Sequence, residues 1–210
     1  HCICILTKRK GSARGYAGAY TAMKRSDFFY DLPQELIAQT PLAERTSSWM
    51  LHLDRQNGSV EHRHFYNLPE YLRKGDCLVI NESRVIPARL IGVSEKTGSP
   101  VEVLLLTQHG DVWECITRPG KRTREGARIR FGEELTCEVT QVTESGNRMV
   151  RFSYNGIFME ILERLGQMPL PPYITEKLED PERYQTVYSK NPGSAAAPTA
   201  GFHFTKELLA

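Results

Sequence analysis

Residues 101–117 read VEVLLLTQHGDVWECIT, two strand-like runs separated by His109-Gly110. Further turn signals of the same kind are Thr97-Gly98, Glu125-Gly126 and Ser145-Gly146. Short strands at this spacing, joined by turns that contain glycine, predict a small antiparallel barrel or a sandwich. The strand-like runs are Cys77–Ile80, Val85–Val93, Val101–Thr107, Val112–Thr117, Ala127–Phe131, Leu135–Val142 and Met149–Tyr154.

The flanking sequence is mixed in character. Apolar residues repeat with helical spacing from Ile157 to Leu165, before Gly166, and a short helix is expected over Glu35–Gln39 behind Pro33. A β-rich block between helical patterns indicates an inserted domain. We therefore predict an α/β main domain, residues 23–88 and 155–210, with an inserted antiparallel β-barrel, residues 89–154. Smaller expected elements are strands over Trp49–Leu53 and Val60–Phe65 around Asn57-Gly58, and one helical turn over Pro69–Arg73.

Residues 1–22 contain four basic residues, no acidic residue and no periodic apolar pattern, and Met23 follows them as a natural start. We expect this tail to be upstream or added sequence that is disordered and lies outside the fold. Deleting residues 1–22 should leave the melting temperature unchanged within error. A drop of several degrees would show that the tail docks onto the fold.

Composition is that of an ordinary globular protein, with 40% hydrophobic and 25% charged residues. No apolar run approaches the roughly 20 residues that span a bilayer. The five scattered cysteines predict buried, reduced thiols and a cytoplasmic protein. The four tail cations leave 23 basic against 25 acidic residues in the body, so any nucleic-acid surface must be local. One basic cluster fits, opposed only by Glu125: Arg118, Lys121, Arg122, Arg124, Arg128 and Arg130.

Two common nucleotide-binding signatures, G-x-G-x-x-G after a strand and G-x-x-x-x-G-K-[ST], are missing. His62 and His64 can share a strand face, but no third ligand is close in sequence, so we predict no metal. In Asn81–Leu90, Arg84 and Arg89 flank apolar residues. Arg89 inside a strand is either a rim ion pair or a guanidinium that binds phosphate or carboxylate, and both readings stay open.

Two later segments are unusual. Pro169–Ile174 is too rich in proline for a regular helix or a central strand, and is either a structural strap or a rigid support for Tyr173. Residues 193–205 (GSAAAPTAGFHFT) allow close backbone approach to a ligand, whereas a plain linker would lack Phe202 and Phe204. Thr205 is expected to cap a helix that begins at Lys206. His203 beside it is the candidate acid–base group, since the ordinary pKa of histidine is about 6.5; a purely structural hydrogen bond is the alternative.

Several of these motifs, in this order, resemble one family, the S-adenosylmethionine:tRNA ribosyltransferase-isomerases of queuosine synthesis. The resemblance covers Met23 to the end of the chain. The matching segments are Asp27–Gln39, Gly75–Asn81, Arg84–Leu90, Val101–Leu106, Arg118–Lys121, Pro169–Ile174, Arg183–Tyr188 and Ala196–Thr205.

The resemblance implies a monomeric enzyme that moves and isomerises the ribosyl group of S-adenosylmethionine onto 7-aminomethyl-7-deazaguanine at the tRNA wobble position. The product would be epoxyqueuosine, with adenine and methionine released and no cofactor, because S-adenosylmethionine is consumed. An inactive fragment that binds RNA, and a generic binding protein, are the alternatives. The expected catalytic residues are His203, Tyr173 and Arg183; the expected substrate-binding residues are Asn81, Arg84, Arg89, Tyr184, Gln185, Pro198, Thr199, Ala200, Gly201 and Phe204; the expected tRNA-binding residues are Arg118, Lys121, Arg122 and Arg124.

The chain departs from the family pattern in three places. Trp49 stands where an arginine is usual, and Thr175-Glu176 intervene before Lys177. The family sequence continues beyond Leu209 with a His-Val-Gly-x-Gly-Thr-Phe motif that this sequence does not contain. We therefore expect the chain to be a C-terminally truncated piece of the enzyme.

Overall fold

The computed structural model describes residues 23–210, which form two compact units. The first unit contains the described residues up to Val79 together with Pro172–Lys177. The second contains Ile80–Pro171 and Leu178–Ala210. The prediction about residues 1–22 falls outside the described residues, and the predicted domain boundaries stay a prediction.

The first unit is built around an antiparallel hairpin of β1 (Trp49–Leu53) and β2 (Val60–His64). Gly58 has a φ of 74°, a left-handed conformation that explains the glycine after Asn57. A 3-10 helix, Phe65–Tyr71, follows β2 and buries Phe65 and Leu68. The two strands and the turn predicted here are confirmed, with β2 ending one residue early, at His64. The helical turn predicted over Pro69–Arg73 is part of the 3-10 helix and ends at Tyr71.

The helix predicted over Glu35–Gln39 is wrong. Only three residues, Gln34–Leu36, form a 3-10 helix, and the Leu36 side chain is 70% exposed. A helix this short needs an apolar face packed against a neighbour, which an exposed leucine does not supply. Two other 3-10 helices of this unit are Arg25–Phe28 and Arg45–Ser47.

The second unit contains a closed six-stranded antiparallel barrel, in the order β4-β5-β6-β9-β8-β7. The predicted mixed fold with a barrel is therefore confirmed, and the sandwich alternative is wrong. The strands of this unit are β3 (Ser83–Val85), β4 (Arg89–Ser94), β5 (Pro100–His109), β6 (Val112–Arg118), β7 (Arg128–Phe131), β8 (Leu135–Val142), β9 (Arg148–Tyr154) and β10 (Asn191–Ser194).

Alternate side chains of the barrel strands fill its interior. On β5, Val101, Val103 and Leu105 are buried while Glu102 and Leu104 are partly exposed. This period of two follows from the strand pleat. The same core cluster contains Leu90, Cys115, Ile129, Phe131, Leu135, Cys137, Val139 and Val150.

Helix α1 (Phe158–Leu165) packs against this core through Ile161 and Leu162, as its helical spacing predicts. The Phe158 ring lies 5.1 Å from the ring of Phe152 and 5.9 Å from that of Trp113. After α1, Gln167 forms two backbone hydrogen bonds with Arg89, of 2.8 and 3.1 Å. The barrel and α1 are therefore one folded body.

The second α-helix of this unit is α2 (Lys206–Leu209). Its 3-10 helices are Gly120–Arg122, Pro181–Tyr184 and Thr199–His203.

Three local predictions in residues 77–93 are wrong. Cys77–Ile80 is not a strand, and Val79 is 88% exposed, because no other described segment pairs with it. Val85–Val93 is not one strand, because Pro87 lacks an N–H and separates β3 from β4. Cys77 is exposed, whereas Cys115 and Cys137 are buried as expected. Burial raises the pKa of the Cys137 thiol to about 12.

Within residues 23–210, no helix is both long and apolar enough to cross a membrane. The same residues contain no group of three or more His, Cys, Asp or Glu side chains arranged to hold a metal ion.

Candidate functional site

The segment that contains most of the candidate site residues is anchored by a short parallel strand pair. Strand β10 pairs with β3, with Asn191 opposite Ser83, and the Ile86 N–H donates to the Ser194 carbonyl over 3.1 Å. Gly193 has a φ of 134°, which allows the chain to bend within β10. Residues 193–205 therefore start from a fixed point on the second unit.

Gln185, an expected substrate-binding residue, is buried and holds the neighbouring strand. Its side-chain amide donates to the Val85 carbonyl over 2.8 Å, and its side-chain oxygen accepts from the Val85 N–H over 3.0 Å. Only 4% of Gln185 is exposed. These two bonds satisfy the backbone N–H and carbonyl of Val85 and position Arg183–Tyr188 beside β3. Contact of Gln185 with substrate stays a prediction.

Gly201 lies in a narrow space between two side chains. A Cβ atom at this position would lie 2.2 Å from the Tyr188 hydroxyl oxygen and 2.7 Å from the Thr186 methyl carbon, so only glycine fits. The Thr186 hydroxyl is buried and has no hydrogen-bond partner in residues 23–210. Burial raises the pKa of Tyr188 above its ordinary value. The sequence analysis missed Thr186 and Tyr188 as neighbours of Gly201, because a contact between residues 13 to 15 positions apart leaves no local sequence pattern.

The last part of the loop is a single 3-10 helix, Thr199–His203, and is not extended. The Tyr184 ring meets the Phe202 ring edge-on at 5.2 Å, and the Tyr188 ring meets the Phe204 ring at 6.1 Å. Thr205 accepts a hydrogen bond from the Leu208 N–H over 3.2 Å, so the predicted cap of α2 is confirmed. The structure thus brings residues 183–188 against residues 198–204. His203 is half-buried in this second segment.

Arg84 faces the same segment. Its guanidinium pairs with Glu182 and donates to the Ser189 hydroxyl over 3.2 Å. Asn81 is exposed, and its side-chain oxygen accepts a hydrogen bond from the Ser83 N–H over 2.9 Å. Ser83 is the first residue of β3. Asn81 lies just before β3 and Arg84 lies within it. The role of both side chains in binding substrate stays a prediction.

Arg89 forms an ion pair with Glu102 across β4 and β5, with a closest distance of 2.7 Å. Its side chain is 41% exposed, so the pair is accessible to solvent. This geometry satisfies the ion-pair interpretation of Arg89 and leaves the second interpretation, anion binding, as a prediction.

Tyr173 belongs to the first unit, unlike the other candidate catalytic residues. Its carbonyl accepts from the Gln39 side-chain amide over 3.0 Å, and the Thr175 N–H donates to the Gln39 side-chain oxygen over 2.8 Å. The proline-rich segment is therefore fixed by Gln39. The Tyr173 ring is 43% exposed, and its catalytic role stays a prediction.

The basic cluster of the barrel begins at Arg118, the last residue of β6, and continues along the loop that follows. The side chains of Arg118, Lys121, Arg122 and Arg124 are all exposed, and within residues 23–210 none forms an ion pair. Arg122 donates to the Pro100 carbonyl over 3.3 Å, which restrains its side chain. In contrast, Arg128 pairs with Glu138 at 3.8 Å. Four uncompensated cations on one loop form a surface that suits phosphates.

Arg148 gives this loop its shape, which the sequence analysis did not anticipate. Its guanidinium donates to the carbonyls of Thr123 and Gly120, each over 2.9 Å. Beneath it, the Thr117 and Thr123 hydroxyls share a buried hydrogen bond of 2.6 Å. The four exposed cations are therefore held on a rigid loop. No sequence pattern distinguishes Arg148 from a surface arginine, because its partners are backbone carbonyls.

Comparison with known proteins gives the chain a family. The model of the family described as queuosine biosynthesis protein matches residues 25–210. The chain is 60% identical to S-adenosylmethionine:tRNA ribosyltransferase-isomerase of Acetivibrio thermocellus over 189 residues, covering 89% of this chain and 55% of that protein. The protein of the same name from Caldanaerobacter subterraneus subsp. tengcongensis is 56% identical over the same shares.

A solved relative is the crystal structure of S-adenosylmethionine tRNA ribosyltransferase from Thermotoga maritima, which is 31% identical. The match covers 87% of this chain and 52% of that one, with a TM-score of 0.37, too low to compare the two folds. The chain spans about half the length of the curated relatives it matches. From the family model and the identities, the chain belongs to the queuosine biosynthesis protein family.

Proposed function

We propose that the protein transfers and isomerises the ribosyl group of S-adenosylmethionine onto 7-aminomethyl-7-deazaguanine in the wobble position of tRNA. The product is epoxyqueuosine, and adenine and methionine leave. S-adenosylmethionine is a substrate, so the reaction needs no separate cofactor. The protein acts as a monomer in the cytoplasm. Family membership and the names of the relatives support this proposal.

The observation that carries the proposal is the rigid loop with four exposed cations. A chain whose body carries slightly more acid than base has no general attraction for RNA, so binding must come from a local patch. The loop presents Arg118, Lys121, Arg122 and Arg124 without carboxylate partners in the described residues. Such side chains neutralise phosphates and release counterions.

The chemistry belongs to the segment around Gly201. The sulfonium of S-adenosylmethionine acidifies the neighbouring C5′–H, so removal of that proton by a base starts the loss of adenine. His203 is the proposed base, and Tyr184 and residues 198–201 are proposed to contact the substrate. The amine of the tRNA base then attacks the opened sugar, and a sugar hydroxyl displaces methionine to close the epoxide. Positioning of a reactive substrate is therefore the main task of this segment.

Alanine at Arg118, Lys121, Arg122 and Arg124 should weaken tRNA binding by the whole protein. We expect the slope of log K against log salt to become shallower by about 3 to 4, because each lost contact retains its counterion on the RNA. Filter binding or anisotropy across a salt series measures this slope.

The matched control removes the same charge from the same unit, by alanine at Lys96, Arg128, Arg151 and Arg164. Arg128, Arg151 and Arg164 are paired with carboxylates, at 3.8, 2.8 and 2.5 Å. The control should change the slope by less than half as much. Equal affinity and slope for the patch variant and the unchanged protein would mean that the loop is a solvated surface.

A second candidate function is an RNA-binding module without catalysis. The rigid basic loop favours it, because that loop lies on the barrel and does not depend on His203. Release of adenine from S-adenosylmethionine in the presence of tRNA separates the two candidates. The enzyme produces it, whereas a binding module does not.

A further inference from the structure

Three aromatic rings form a continuous stack on the hairpin of the first unit. Trp49 and His64 are opposite each other on β1 and β2, and their rings are 4.3 Å apart with an interplanar angle of 25°. The His64 ring also stacks on Tyr66, at 5.1 Å and 16°. His64 is thus common to both pairs.

Backbone groups hold this stack in place. The His64 ring is 2.9 Å from the Ser47 carbonyl through Nδ1, and a carbonyl only accepts, so Nδ1 carries the proton. Whenever this ring is neutral, its Nε2 is an acceptor. The His64 N–H donates to the Asn67 side-chain oxygen over 3.2 Å, and the buried Phe65 fixes the chain between His64 and Tyr66. The rings are therefore ordered before any ligand binds.

The outer members of the stack are open to solvent. Trp49 is 72% exposed and Tyr66 is 51% exposed. Exposed aromatic faces at the end of an ordered stack offer the surface on which an unpaired nucleobase stacks.

The surroundings of the stack suit RNA better than an apolar protein surface. His62 shares the β2 face of His64, and Arg55 lies in the turn between β1 and β2; both are exposed. Neither forms an ion pair within residues 23–210, so both can meet phosphate or ribose. Leu51, opposite His62, is 47% exposed and adds an apolar contact for the sugar.

We propose that the stack of Trp49, His64 and Tyr66 binds one unstacked nucleobase of the tRNA substrate. This rests on the proposed function for the identity of the RNA, and it adds a binding site separate in sequence from the basic loop. Base stacking tolerates any base because every base has a π-face. The His64 Nε2 acceptor and the His62 ring contribute hydrogen bonds to whichever base edge is presented.

Tryptophan fluorescence tests the site in this chain, with an unmodified anticodon stem-loop RNA as the probe. This chain has two tryptophans, Trp49 and Trp113, and Trp113 is buried in the barrel with 7% exposure. We expect the RNA to quench the fluorescence of the exposed Trp49. The quenching should disappear in Trp49→Phe, which keeps a ring for stacking and should keep most of the affinity.

Trp49→Ala should bind the same RNA roughly five- to twenty-fold more weakly, the scale of one lost stacking contact. The matched control is Phe29→Ala, since Phe29 belongs to the same unit, is 84% exposed and lies outside the stack. This control should bind like the unchanged protein.

Unchanged affinity of Trp49→Ala together with unquenched fluorescence overturns the nucleobase site. If the four-alanine variant of the basic loop still loses affinity in that case, tRNA binding by the barrel stands. A change of oligomeric state in Trp49→Ala with unchanged RNA affinity also overturns it, in favour of a protein contact. Quenching by the stem-loop RNA, together with no release of adenine by the whole protein when the tRNA carries 7-aminomethyl-7-deazaguanine, retains the base site and removes the enzyme proposal.

Discussion

Replacing Gly166 with alanine should lower the stability of the second unit by roughly 3 kcal/mol, the upper part of the range for overpacked positions. A Cβ atom at this position would lie 2.0 Å from the Pro87 carbonyl oxygen and 2.6 Å from the Leu162 carbonyl oxygen. Both are backbone atoms, so a side-chain rotation cannot relieve the contact. The φ of Gly166 is −82°, so the effect comes from space and not from backbone conformation.

The expected consequence is a fall in melting temperature of roughly 6–12 °C, measured by the circular dichroism of the barrel. Gln167→Ala is the matched control, because the Gln167 side chain is exposed while its backbone makes the bonds to Arg89. This control should melt within about 2 °C of the unchanged protein. A Gly166→Ala protein that melts like the control would show that α1 can move away from Pro87 at little cost.

The barrel was predictable because its information is local. Short strand-like runs and the glycine at each turn predict strands and hairpins without reference to distant residues. Closure into a barrel rather than a sandwich depends on strand order, which no single strand encodes. Gly92 illustrates this limit: a Cβ atom there would lie 2.5 Å from the Phe131 ring, a contact between β4 and β7 that is invisible in either strand alone.

The candidate site was predictable in part. Its segments were recognised by unusual composition, since small residues and proline around Gly201 indicate close backbone approach. The partners of individual side chains were not predictable. The Gln185 side chain is hydrogen-bonded to the Val85 backbone, and the Arg148 guanidinium is hydrogen-bonded to the carbonyls of Gly120 and Thr123. Such contacts join residues that are 25 to 100 positions apart, and their chemistry leaves no periodic pattern.

His203→Ala is expected to abolish most of the catalytic activity of the whole protein while S-adenosylmethionine still binds. Loss of a general base costs roughly 10²-fold or more in rate. His203 is half-buried at the end of the 3-10 helix that contains Gly201, beside Phe204 and the cap of α2. Release of adenine measures the rate, and calorimetry with S-adenosylmethionine measures binding.

Two further variants separate proton transfer from a structural role of His203. His203→Gln keeps a polar side chain that can hydrogen-bond to the loop but cannot take up a proton near neutral pH. If His203 is the base, the glutamine variant should be as slow as the alanine variant; if it only supports the loop, glutamine should recover most of the rate. His109→Ala, at the exposed turn between β5 and β6, is the control and should leave the rate unchanged. Near-normal release of adenine by either His203 variant would remove this histidine from the chemistry. Tyr188 would be a poor replacement as the base, because burial raises its pKa and so disfavours its ionised form.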